Sequence, residues 1–141
     1  MKFTVDPSIA EKWYLPNPDT VKGLRLRFDF HARLLELLAP DTFPAECAGM
    51  LVNAERKQLI DPGEADSSFT DLLAIGVPLH PCIPVIPRAI AISFATRLTV
   101  AASLYIALAE REQCQFLTVD QKVIRNTRKY FSFVLPFANL P

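Results

Sequence analysis

Hydrophobic residues in this chain fall into short runs that alternate with segments of helical spacing. Two of the runs, at opposite ends, share one shape. Lys2-Phe3-Thr4-Val5 stops on Asp6, and Gln115-Phe116-Leu117-Thr118-Val119 stops on Asp120; residues able to open a helix follow each. Such brief apolar runs, rich in aromatic and β-branched residues, predict buried strands. Pro16-Asn17-Pro18-Asp19 predicts a turn, with Asp19 capping a helix from about Thr20. On that helix Val21, Leu24 and Phe28 recur at the spacing of a core-facing side, leaving Arg25, Arg27 and Arg33 to solvent. Glu36 to Ala39 predicts a second strand, ended by Pro40-Asp41. Thr42 is then expected to cap a helix with Pro44 in its first turn and Met50, Leu51 and Ala54 on its buried side.

Asp61-Pro62-Gly63 breaks the chain before a shorter helix bearing Phe69, Leu72 and Leu73. Prolines 78, 81, 84 and 87 punctuate the middle, so a strand at Val77-Pro78-Leu79 is confined to a sheet edge. Helices are expected again at about Pro87–Thr96 and Thr99–Glu112, and Tyr130–Phe137 is aromatic and β-branched enough for a last strand. Strands alternating with helices predict an α/β fold of three layers, a mostly parallel central sheet with helices on both faces. Residues 1–141 form one domain with no linker, repeat or low-complexity tract.

Half of the 141 residues are hydrophobic, enough for a real core in a domain of this size. Lys and Arg balance Asp and Glu at 15 each, so no global field draws the chain to nucleic acid and any such contact needs a local patch. No apolar stretch reaches membrane-spanning length, and Asp6 and Glu11 stand where a leader's apolar region would lie. The expected location is the cytoplasm. Cys47, Cys82 and Cys114 are odd in number and widely spaced, and neither His31 nor His80 lies near one; reduced thiols are expected rather than a zinc site. With four glycines and no glycine-rich loop or nucleophile elbow, nucleotide-binding and serine-hydrolase chemistry lack support.

The acids carry the chemistry. Ligands of open α/β sheets bind beyond the carboxyl ends of the strands. Asp6 and Asp120, brought there from distant parts of the chain, suggest a shared acidic cleft able to hold a metal. Glu46 is the third candidate, in the first turn of a helix otherwise lined by Ala48, Met50 and Leu51. Taken alone it would merely complement the helix dipole, worth under about 1 kcal/mol.

In its ordered pieces the chain resembles a PIN domain, in particular the small VapC-type toxins of toxin–antitoxin pairs. Val5-Asp6-Pro7-Ser8 resembles the Asp-x-Ser that ends the family's first strand, and Ala39-Pro40-Asp41 followed by Glu46 its strand-two exit and acid-bearing helix. Leu104-Tyr105-Ile106-Ala107-Leu108-Ala109-Glu110 is close to the family's Leu-Tyr-x-Ala-Leu-Ala-Glu, and Leu117-Thr118-Val119-Asp120 to its Thr-x-Asp. The resemblance implies an endoribonuclease using Mg²⁺ or Mn²⁺ to activate water against a phosphodiester. It implies Asp6 as central ligand, Asp120 as a ligand directly or through water, and Glu46 as the group orienting a metal-bound water or acting as base. Ser8 and Thr118 would steady those carboxylates from behind. RNA, an antitoxin protein and a second copy of the chain are the implied partners. One piece departs: where the family places an aspartate three residues before the helix tyrosine, this chain has Ala102. Even losing a group behind the ligands costs on the order of 10- to 100-fold in metal affinity or activity, so weak binding is expected.

Lys122, Arg125, Arg128 and Lys129 follow Asp120 on one helical segment; a solvated face is expected, with RNA phosphates the alternative. Trp13 and Tyr14 could stack bases, although packing is the commoner fate of such aromatics. Tyr105 is expected on a buried face with Ala101, Leu104 and Leu108. Two further readings stand beside the nuclease. One is an inactive PIN scaffold that binds RNA or a protein; the other is an unrelated α/β domain whose acids lie apart on the surface.

Overall fold

The computed structural model describes residues 1–141. In chain order the elements are β1 (Lys2–Val5), α1 (Pro7–Tyr14), α2 (Thr20–His31), β2 (Glu36–Pro40), α3 (Phe43–Arg56), α4 (Glu64–Ile75) and β3 (Leu79–His80). A short 3₁₀ turn, Ile83–Val85, leads into α5 (Ile86–Thr96), then α6 (Val100–Arg111), β4 (Gln115–Thr118), α7 (Gln121–Thr127) and β5 (Val134–Pro136). All five strands are parallel, in the order β3-β2-β1-β4-β5. From β1 the chain steps outward to β3, then returns across the sheet to β4 and on to β5. Parallel crossovers are right-handed, so this reversal puts α1–α4 on one face and α5–α7 on the other. The result is a three-layer α/β fold.

The central strands are buried almost end to end, as a sheet covered on both faces requires. Phe3, Val5, Leu37, Ala39, Phe116 and Leu117 form the middle of a core that also takes in Ile9 of α1, Cys47 of α3 and Ile106 of α6. Helix α6 packs on β1, β2 and β4 and against α5, which explains its seven consecutive buried residues, Ser103–Ala109. No single helix is long and apolar enough to cross a membrane.

Several sequence expectations need correction. On α2 the buried side is Gly23 and Leu26, while Val21, Leu24 and Phe28 are exposed. The cause is a close approach to α1: a Cβ on Gly23 would stand 3.0 Å from both Lys12 Cβ and Lys12 O, and Trp13 Nε1 donates to Gly23 O at 3.0 Å. The glycine, lacking a side chain, fixes the contact face. Met50 is only half-buried, whereas Leu51 and Ala54 are buried as expected. Thr42 and Asp19 occupy cap positions without capping. Thr42 is already helical and its Oγ1 is buried with no partner, and Asp19 pairs with Lys12 Nζ at 3.2 Å instead. The edge strand lies at Leu79–His80, with Pro78 supplying a carbonyl to Ala39 N at 3.0 Å. The last strand is shorter than expected. Tyr130 and Phe131 give their N–H groups to Thr127 O, which continues the turn after α7, and the strand paired with β4 is Val134–Pro136, entered through Phe133 O, which accepts from Phe116 N at 3.0 Å.

Candidate functional site

The strand order reverses between β1 and β4, and at such a point the loops beyond the two strand ends part to leave a crevice. Asp6 ends β1 and Asp120 follows β4. Val5 pairs with Leu117, so the next residues, Asp6 and Thr118, come level. Each aspartate also starts a helix. Asp6, with Pro7 behind it, caps α1 by accepting from Ser8 N at 3.1 Å; Asp120 caps α7 by accepting from Lys122 N at 2.9 Å and Val123 N at 3.2 Å.

Two hydroxyls hold Asp6 in place. Ser8 Oγ donates to Asp6 Oδ1 and accepts from Val119 N at 2.9 Å; Thr118 Oγ1 donates to Asp6 Oδ2 at 2.6 Å and accepts from Asp120 N at 3.1 Å. The carboxylate at the end of β1 is thereby linked through side chains to the backbone leaving β4. Glu46 stands in the first turn of α3 and accepts from Tyr105 Oη of α6 at 2.8 Å.

Asp6, Glu46 and Asp120 line one cleft of about 230 Å³, together with Ser8, Thr99, Ala102 and Tyr105. Within that shared cleft Asp6 is buried, Glu46 half-buried and Asp120 exposed. They do not close into a cage: no three His, Cys, Asp or Glu side chains are grouped tightly enough to hold an ion. The donor chemistry nonetheless suits a hard cation, being oxygen throughout, and Mg²⁺ commonly uses only one or two protein carboxylates. Asp120 Oδ2 and Glu46 Oε2 have no hydrogen-bond partner in the chain, which leaves both free to take a ligand. Ala102 contributes only its backbone N–H, which donates to the capping hydroxyl of Thr99 at 3.1 Å.

The electrostatics are those of an anionic hole. Asp6 is 7% exposed, and none of the three acids makes an ion pair. Burial pushes the Asp6 carboxyl up from 3.8 to about 6; Ser8 and Thr118 oppose the rise and the Asp120 charge adds to it. Burial, followed by Glu46 and Asp6, also drives the neighbouring Cys47 thiol far upward, which leaves it inert.

Lys122 and Arg125 lie on α7, Arg128 and Lys129 in the turn that follows, and all four are exposed and without an acidic partner. Trp13 is buried through its bond to Gly23. Tyr14 donates to Asp71 Oδ2 at 2.8 Å, with Arg27 on the same oxygen at 2.8 Å. Both aromatics are structural. His31 is exposed, His80 lies 3.9 Å from Glu112, and the three cysteines are free. Tyr105 is buried with Leu104 and Leu108 as expected, although Ala101 is exposed. Its hydroxyl in the cleft was not foreseen. The signal was present: a buried tyrosine in place of phenylalanine requires a hydrogen-bond partner.

No family model matches the chain, and no curated protein matches it. Among solved structures, a protein from Pyrobaculum aerophilum, PAE2754, is similar with a TM-score of 0.69 at 15% identity, over 98% of this chain and 93% of that one. At that identity the likeness is one of fold.

Proposed function

We propose that the chain is a PIN-type, VapC-like endoribonuclease, dependent on Mg²⁺ or Mn²⁺ and weakened where Ala102 replaces an acid. The observation that carries this reading is Asp6, a buried carboxylate with no cation of the chain beside it, in a cleft shared with Glu46 and Asp120. A buried charge is normally paired or coordinates a metal. Bound there, the cation would activate water and offset charge building on the phosphate. Asp6 and Asp120 would hold it, Glu46 would take or direct the proton of the attacking water, and Ser8 and Thr118 would fix Asp6. The exposed cations from Lys122 to Lys129 begin two residues after Asp120, which supports RNA phosphates as the contact.

The same reading carries a cytoplasmic protein with an antitoxin partner and a second copy. The hollow of about 400 Å³ between α2 and α4, lined by Leu24, Phe28, Phe30 and Ile75, and the exposed Ile83 of the 3₁₀ turn with Ile90 and Phe94 of α5 are surfaces that partners would cover. The test is incubation of purified protein with transfer RNA and Mg²⁺ or Mn²⁺. Cleavage abolished by chelation and by Asp6→Ala is the expected result; no cleavage with any divalent metal sinks the enzyme.

A second reading has its own support. The absence of a closed three-acid cage, with Ala102 lining the cleft, favours a silent scaffold of the same fold that binds RNA or protein without cutting. RNA retention without cleavage in the same assay distinguishes it.

A further inference from the structure

Tyr105 belongs to the most buried stretch of the molecule, between Leu104 and Ile106, and is 2% exposed. A phenylalanine would fill the same space. The ring lies almost parallel to Phe116 of β4, centroids 5.9 Å apart at 18°, so it is clamped between α6 and the strand that delivers Thr118 and Asp120. From that anchorage the hydroxyl crosses to α3 and donates to Glu46 Oε1.

Glu46 has no other polar partner. No cation pairs with it and no second donor reaches it. A glutamate in the first turn of a helix has several rotamers open to it, and fixing one of them costs side-chain entropy. Tyr105 also stands three residues beyond Ala102, on the same face of α6. Where α6 offers no carboxylate to the cleft, it still offers this hydroxyl.

We infer that Tyr105 is a positioning residue: it fixes one oxygen of Glu46 so that the other, Oε2, is presented to the cation and its water. This rests on the metal-cleft reading above. Tyr105 itself touches no metal or substrate and acts only through Glu46.

The experiment is a double-mutant cycle read by calorimetric titration of Mn²⁺ into the wild type, Tyr105→Phe, Glu46→Ala and the double variant. Tyr105→Phe is expected to weaken Mn²⁺ by roughly 10-fold, the lower end for a group that acts through a ligand. The double variant should bind no more weakly than Glu46→Ala alone. A packing defect would behave otherwise, lowering affinity by the same factor in both backgrounds. That result, or wild-type affinity in Tyr105→Phe, overturns the inference while leaving the metal cleft standing. Absence of saturable Mn²⁺ binding in the wild type, or binding that survives Asp6→Ala, instead removes the metal cleft, and this role goes with it. Should Tyr105→Phe not fold, Tyr105→Leu, which also lacks the hydroxyl, takes its place in the cycle. A loss confined to the Glu46 background supports the role, and an equal loss in both backgrounds, or none, overturns it.

Discussion

Asp6 has two duties that pull its charge in opposite directions. As a helix cap and acceptor of two hydroxyls it favours the ionised form; as a side chain shut away from water it favours the neutral one, and burial prevails. Folded, it keeps its proton up to about pH 6, whereas the ordinary carboxyl loses it near 3.8. Between those values the folded chain binds more protons than the unfolded one, so stability falls as pH rises through the window. Above it, the buried charge costs about 3 kcal/mol. Asp6→Asn, which keeps one acceptor for Ser8, is expected to be more stable than the wild type by about 1–3 kcal/mol at pH 7.5 and no more stable below about pH 4. Urea unfolding at both values checks this, and a pH-independent difference would contradict it. At this scale much was legible. Asp6, Asp120 and Glu46 stood out because apolar runs do not end on, or helices harbour, a carboxylate without cause. The link from Tyr105 to Glu46 joins residues 59 positions apart, and nothing local in either segment encodes it.

Capping residues, chain breaks and helical spacing located α2 to α6, yet spacing misjudged which side of α2 faces inward. Val21, Leu24 and Phe28 look like a core stripe, and Gly23 and Leu26 look like little. Side-chain size was the wrong guide, because the α1–α2 contact is set by how closely two backbones can approach. Two alanine substitutions separate that effect from helix propensity. At Gly49, on the exposed side of α3, a Cβ would meet nothing within 4 Å, so Gly49→Ala should stabilise by about 0.5–1 kcal/mol. The same substitution at Gly23 drives a methyl against Lys12, and overpacking of about 1–3 kcal/mol outweighs the propensity gain. Opposite shifts in chemical unfolding midpoint are expected; two stabilised variants would mean that α1 and α2 are not locked together. The final strand was overextended for a similar reason. Its aromatic residues suit a strand, but the N–H groups of Tyr130 and Phe131 are already taken by Thr127.

Across the whole molecule, the cleft exists because four segments distant in sequence meet where the strand order reverses: the ends of β1 and β4 and the first turns of α3 and α6. A cation that binds only this folded arrangement stabilises the entire chain. On the proposed metal-cleft reading, Ala102→Asp adds a carboxylate to the cleft at a helix N-terminus that favours it. It should bind Mn²⁺ at least 10-fold more tightly than the wild type, on the order of the change set by one group at a metal site. At saturating metal that is about 1.4 kcal/mol, or roughly 3–5 °C in melting midpoint, reversed by chelation. Equal Mn²⁺-induced shifts in the two proteins would mean that position 102 does not face the ion. By itself the sequence determined the alternation of strands and helices, the parallel three-layer class and the acids at the strand ends, because hydrophobic period and capping chemistry are local properties. Only the tertiary structure decided which face of α2 is buried, that Asp6 is an unpaired buried charge, that the three acids share a cleft without closing on one point, and that Tyr105 restrains Glu46. Those depend on distances between segments remote in the chain, and such distances are fixed only when the whole core packs.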